Sequence, residues 1–331
     1  MMQISPEIQL FIREHSSDDV RVLALQAKKY PDIDMPTVIT QIAGRKVAAE
    51  KIPSWWEIEK IWYPKHLSLE QCSSEITARY KARLLQGDSL TDLTGGFGID
   101  CSFLATGFKS ATYVERQEEL CEIAAHNFPV LNLNHINIKN EDGVTYLQAM
   151  SPVDCLFLDP ARRNEHGGKT VAISDCEPNV AELEELLLQK ANRVMIKLSP
   201  MLDLSLALKE LKQTQEVHIL SVNNECKELL ILLGQTSPAE ISIHCVNLFT
   251  KGTQKEQHFV FTREQEQCSE CTYTDSLETY LYEPNASLLK AGAFRSIAAA
   301  YPVRKLHPNS HLYTSDTFIE NFPGRIFRIV N

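Results

Sequence analysis

Apolar residues recur three and four positions apart over much of the first 85 residues, in "PEIQLFIREH", "VRVLALQAKKY" and "MPTVITQIAGRKVAAEKI". That period predicts amphipathic helices, with Pro6 and Pro36 standing where a first helical turn accepts proline. From residue 89 the rhythm changes. Short apolar runs, "SLTDLT", "SATYVE", "INIKN", "VDCLFLD" and "RVMIKLS", alternate with helical runs after residues 98, 116, 142, 177 and 203. Strand, turn and helix in repetition predict a parallel sheet covered on both faces. Two more runs, "EVHILSVNN" and "KELLILLG", follow with almost no spacer. A connection of a few residues joins only antiparallel neighbours, so the sheet is expected to end in a hairpin. After 238 come the short strands "EISIHCVNLF" and "QHFVFTRE", then a helix between turn-rich ends. The expected organisation is a helical N-terminal domain over 1–75, an α/β core over 76–240 and a small α+β appendage over 241–331. The strand-like ending "RIFRIV" suggests an appendage that continues beyond residue 331.

Composition narrows the class. The 331 residues are 44% apolar and 23% charged, an ordinary globular mixture with no run near the ~20 apolar residues of a membrane span. The first nineteen residues lack the basic start, apolar stretch and cleavage site of a signal peptide, so the expectation is a cytoplasmic protein. Nine cysteines, mostly inside apolar or helical patterns (Cys101, Cys121, Cys155, Cys226, Cys245), read as reduced thiols. The net charge of -10 lies wholly in residues 91–250, which hold 12 basic and 22 acidic side chains. Residues 285–331 instead carry Lys290, Arg295, Arg304, Lys305, Arg325 and Arg328 against two acids. A polyanionic partner thus stays possible on local charge, beside the plain reading of a solvated mixed surface.

Candidate chemistry gathers at the ends of the core strands. In "DLTGGFGID", residues 92–100, Gly95, Gly96 and Gly98 let the backbone pass close to a ligand. The helix beginning near Ile99 turns free N–H groups to the same spot. Gly96-x-Gly98-x-x-Cys101 half matches the dinucleotide fingerprint. Glu115 ends the next strand at the spacing of a ribose-hydroxyl acceptor, which suits either cofactor class, or it is a surface acid. Asp142 follows the third strand as an acceptor for an adenine amine, as a helix N-cap, or as both. Asp159-Pro160 closes the fourth strand, where an open α/β sheet places its chemistry. A turn with an acidic start is the plain alternative. A parallel sheet finished by one antiparallel hairpin is the arrangement of class I S-adenosylmethionine (SAM) methyltransferases, whereas a dehydrogenase repeats its mononucleotide half.

The stretches "LSLEQCSSEITARYKARLL", "DLTGGFGID", "YVER", "NEDG", "LDPARR", "IKLSP", "LYEPNASLLKAGAF" and "KLHPNSHLYTS" resemble the bacterial class I methyltransferases with a THUMP-like C-terminal domain, often called RNA methylases. The resemblance runs over nearly the whole chain. It implies a Rossmann-like core that binds SAM and a C-terminal part similar to tRNA-recognising modules. The implied cofactor set is Asp92, Thr94, Gly95, Gly96, Phe97, Gly98, Glu115, Arg116, Asp142 and Gly143. Gln71, Ser73, Ser74 and Thr77 would close over the cofactor, although either serine serves equally well as a helix cap. Asp159 and Pro160 would orient the acceptor, as in methyltransferases acting on nucleic-acid bases.

Departures from better-understood relatives restrict the reaction. Enzymes that methylate exocyclic amines follow the proline with a second proline and a base-stacking aromatic. Ala161 and Arg162 stand there instead. "DPAR" is closer to uracil C5 methylases, but those carry a cysteine nucleophile at the end of the next strand, where this chain has Ser199. A serine with no activating base does not replace a thiolate, which disfavours covalent C5 chemistry. Arg162, Arg163 and Lys169 form a basic loop suited to phosphate oxygens, unless one arginine pairs with Glu165 or Asp159. Lys197 points to the same crevice or is a solvated strand end. No metal is expected: Cys268-x-x-Cys271 lacks a second pair, and His244, Cys245 and His258 are too loosely arranged to complete a site. The expected function is SAM-dependent methylation of RNA, at a base nitrogen of tRNA or rRNA. A small-molecule or protein methyltransferase, a SAM- and RNA-binding module without turnover, and a nicotinamide dehydrogenase remain as rivals.

Overall fold

The computed structural model describes residues 5–162, 172–236 and 238–330. Two compact units divide the chain, Met1–Phe157 and Leu158–Asn331. The first opens with α1 (Pro6–Glu14), α2 (Val20–Leu25), α3 (Met35–Lys51), α4 (Pro53–Trp56), α5 (His66–Gln71) and α6 (Glu75–Ala82). Prolines stand in the first turns of α1, α3 and α4, where a missing N–H costs nothing. The strand–helix alternation follows as β1 (Ser89–Asp92), α7 (Ile99–Ala105), β2 (Ser110–Glu115), α8 (Glu118–Val130), β3 (Ile136–Asn140), α9 (Gly143–Ala149) and β4 (Val153–Leu158). These strands pair in parallel in the order β4-β1-β2-β3. Asp154 locks the start of the β1–β4 pair by accepting from Asp88 N, Ser89 N and Ser89 Oγ at 2.8, 2.9 and 3.0 Å.

The N-terminal helices divide their apolar residues between two clusters. Trp55, Tyr63 and Leu69 pack in one cluster with Phe97, Ile99, Leu120 and Ile123 of the strand–helix part. α1–α3 build a second cluster of their own on Phe11, Leu23, Met35, Val38 and Ile42. The boundary expected at residue 75 therefore runs through a shared core.

The second unit holds β5 (Ala161–Arg162), β6 (Cys176–Glu177), α10 (Val180–Lys190), β7 (Ala191–Leu198), α11 (Leu204–Glu210), β8 (Thr214–Val222), β9 (Glu225–Gly234), β10 (Ser242–Leu248) and β11 (Glu256–Thr262). Strand order is β7-β9-β8-β10-β11. The expected hairpin is β8–β9. Its two loop residues, Asn223 and Asn224, have φ of 50° and 68°, the left-handed pair that a tight hairpin needs and asparagine tolerates. Leu229 to Leu233 are fully buried, which explains a continuous apolar run in place of alternation.

The sheet does not stop at residue 240, as expected from sequence. β10 pairs in parallel with β8 from Ser242↔Glu216 to Leu248↔Val222, and buries Cys245 and Val246 completely. The physical reason is the length of β8: without β10, a nine-residue strand would present a row of unpaired backbone N–H and C=O groups. After α12 (Arg263–Cys268) come β12 (Tyr280–Pro284), α13 (Ala286–Ala291), α14 (Phe294–Ala300), β13 (Arg304–Lys305), β14 (Tyr313–Ser315) and β15 (Gly324–Arg328). The late strands form an antiparallel sheet of order β13-β14-β12-β15. The fold is thus the expected mixed α/β class, Rossmann-like in its strand–helix alternation, with a small α+β part at the end.

Candidate active site

The carboxyl end of β1 is held open by its own glycines. Asp92, buried, accepts from Thr94 N at 2.9 Å and starts the turn. Gly95 N donates to Val114 O at 2.8 Å, and the Tyr113 ring occupies the place of a residue-95 side chain. Gly96 and Gly98 have φ of 55° and 88°. A Cβ on Gly96 would meet nothing closer than Thr94 O at 3.8 Å, so the space before it is open. Gly96 N donates to Glu115 Oε2 at 2.9 Å, while Tyr113 OH donates to Gly96 O at 2.5 Å. The end of β2 therefore grips the turn on both sides. Phe97 faces the other way, edge-on to Trp55 with centroids 5.2 Å apart, so its side chain belongs to the core and not to a ligand.

Glu115 is nearly buried and its second oxygen accepts from Gln117 N at 2.8 Å. Each oxygen keeps a lone pair for a hydroxyl. Arg116 is exposed and lends its carbonyl to Asn140. Asp142 caps α9: Oδ1 accepts from Val144 N and Thr145 N, both at 3.0 Å. Gly143 follows it, tight against the Leu93 carbonyl.

Ahead of the turn, Ser73 has a different partner from either expected one. Its hydroxyl donates to Asp100 Oδ2 at 2.7 Å and accepts from Lys81 Nζ at 2.8 Å. Lys81, wholly buried, pairs with Asp100 Oδ1 at 2.9 Å. Neither Ser73 nor Ser74 caps α6 through its side chain. Ser74 Oγ lies 3.1 Å from Thr77 Oγ1, which donates to Ser74 O. Gln71 is exposed at the end of α5.

In the second unit Asp159 follows directly on β4, with Pro160 buried beside it. Lys197, at the end of β7 and nearly buried, donates to Asp159 Oδ2. It is not a solvated strand end: it pairs with the candidate acceptor carboxylate. Arg162 sits in β5 opposite Cys176. Arg163 and Lys169 lie outside the described residues. Ser199 Oγ accepts from Met201 N at 3.3 Å.

No disulfide joins the nine cysteines. Burial pushes Cys101 well up, with Asp92 and Asp100 adding to it, and pushes Cys121 and Cys226 up to about 11. Those thiols are poor nucleophiles, in keeping with the argument against covalent chemistry. The C-terminal basic cluster is largely consumed internally. Arg304 pairs with Glu278 and Arg325 with Glu283. Lys305 is buried on Pro308 O, and Lys290 donates to Leu202 O at 2.7 Å. Arg295 and Arg328 are exposed and make no ion pair among the described residues. No helix among the described residues is long and apolar enough to cross a membrane.

Among solved structures the chain is similar to a protein of Porphyromonas gingivalis W83 assigned as a methyltransferase: 36% identical, TM-score 0.85, covering 98% of this chain and 81% of that one. An rRNA methylase of Streptococcus thermophilus is 14% identical with a TM-score of 0.35, over 48% of this chain and 93% of the other. A Streptococcus mutans protein assigned as a methyltransferase, solved with SAH, has the same identity and TM-score over 48% and 96%. At that distance neither bears on this chain's chemistry. A ferredoxin-like domain family matches residues 280–323. No curated protein matches the chain.

Proposed function

We propose that this chain, which belongs to the methyltransferase family of the Porphyromonas gingivalis protein, transfers a methyl group from SAM to RNA, at a base nitrogen of tRNA or rRNA. The observation that carries the reading is the open glycine turn after β1, with the Glu115 carboxylate bonded to its Gly96 N–H. A cofactor with a ribose and an adenine fits there. The open front of Gly96 admits it closely, Glu115 has lone pairs for ribose hydroxyls, and Asp142 keeps Oδ2 clear of its two cap bonds. Bound SAM supplies a methyl group already activated by its sulfonium charge. The chain's own task is then to position an acceptor lone pair. Asp159 accepts a hydrogen bond from an acceptor N–H and so turns the nitrogen lone pair outward, while Lys197 fixes the carboxylate rotamer. Arg162 and Arg163 take backbone phosphate, and the C-terminal part acts as a THUMP-like reader of RNA shape.

The test is transfer of tritiated methyl from SAM into size-fractionated RNA from a strain lacking the protein. Label in the tRNA or rRNA band, lost with Asp159→Ala while SAM binding persists, is the expected result. Binding of SAM without label in RNA removes RNA as the acceptor and leaves a protein or small molecule. Label undiminished by Asp159→Ala removes Asp159 from the site.

A further inference from the structure

Strand pairing brings together four groups from three strands. Glu216 and His218 are two apart on β8 and so share one face. His244 on β10 stands directly opposite His218, and His258 on β11 pairs with Val246, two positions along that face. The rings of His218 and His244 stack with centroids 4.3 Å apart, and those of His244 and His258 at 5.3 Å.

We infer that Glu216, His218 and His244 form a binding site for a divalent transition metal of the zinc class. Ligand atoms of the three lie within 4.8 Å of one another. Ligands ~2.0–2.1 Å from a tetrahedral zinc stand ~3.3 Å apart. Glu216 Oε2 and His218 Nε2 are already 3.2 Å apart, one edge of that tetrahedron at close to its final length. The donor set, two imidazoles and one carboxylate, is that of an open zinc site with a position left for water.

The surroundings supply what a ligand set requires around it. His244 Nδ1 lies 3.1 Å from His258 Nε2; in the tautomer with the proton on Nδ1, His258 accepts it and His244 Nε2 is left as the ligand atom. Arg193 donates to Glu216 Oε1 at 2.8 Å, which fixes the carboxylate and leaves Oε2 toward His218. Arg193 also opposes the cation, so binding is expected to be moderate in strength. Burial is graded, from His218 inside through Glu216 and His244 to an exposed His258, which gives an ion a path from solvent.

The full chain, stripped with chelator, is titrated with zinc by calorimetry and with Co²⁺ by visible absorption. One equivalent is expected below about 10 µM, with the d–d bands of a tetrahedral site and no near-ultraviolet thiolate band. His244→Ala abolishes the bands. His258→Ala, at an exposed position, weakens binding ~10-fold with the urea midpoint of the metal-free protein unchanged. The Cys268→Ser, Cys271→Ser double variant binds as wild type. Absence of saturable uptake, or uptake that survives His244→Ala and disappears in the cysteine variant, overturns the assignment.

Discussion

Tyr113 decides what can stand at residue 95. A Cβ there would lie 2.3 Å from a ring that is fully buried and tied through its hydroxyl to Gly96 O. Gly95→Ala is expected to destabilise the chain by about 3 kcal/mol. Gly96→Ala has room but must hold φ near 55°, and should cost only ~1 kcal/mol while weakening SAM binding. Urea midpoints, with SAM titration by calorimetry, separate the two. Lys197→Met should lower kcat ~10-fold with the SAM Kd unchanged, because the residue acts through Asp159. An unchanged kcat would make the pair merely structural. Sequence alone marked the glycines, Glu115 and Asp159 correctly as strand-end residues. It did not reveal that Lys197 pairs with Asp159, since nothing in a chain of letters says which way a strand-end lysine bends.

Between elements, two polar connections determine how the sheet and its helices meet. Lys81 on α6 and Asp100 on α7 form a buried ion pair. Lys81→Met alone should destabilise by about 3–5 kcal/mol, and adding Asp100→Leu should recover most of the loss in a urea titration. The second connection is Asp154 across β1 and β4. Hydrogen bonds from Ser89 N first, then Asp88 N and Ser89 Oγ, hold its carboxyl below the ordinary range. A lowered folded-state value means stability that is present above the ordinary range and lost as pH falls through the lower value. The Asp154→Asn deficit in urea midpoint should therefore be constant from about pH 8 to 5 and close below about pH 4. Every core strand was legible from its apolar run, and the β8–β9 hairpin from its short spacer. The β5–β6 ladder was not, being two residues to a side. The histidine face was hidden for another reason: His244 and His258 were weighed against their sequence neighbour Cys245, which points to the opposite face. Counting alternate residues on β8 and β10 together would have exposed it.

Over the whole molecule, charge and function are at odds in an informative way. Acid dominates residues 91–250, and the basic C-terminal cluster spends most of its charge on Glu278, Glu283 and backbone carbonyls. An RNA held there by Arg295 and Arg328 should show a log K against log salt slope of about -1.5. A slope of about -4 or steeper would place the grip elsewhere. Domain boundaries were the least legible feature, because a composition shift marks where a pattern changes and not where a core is shared. The bonding of Ser73 and Lys81 to Asp100 joins the segment before the glycine turn to the helix after it. Descendants of such a chain are thus constrained in how they diversify. A crossover between residues 81 and 100 with a chain that lacks either charge would strand the other in a buried interior. The α6 segment and the helix after the glycine turn therefore have to change together, as one unit and not as interchangeable modules.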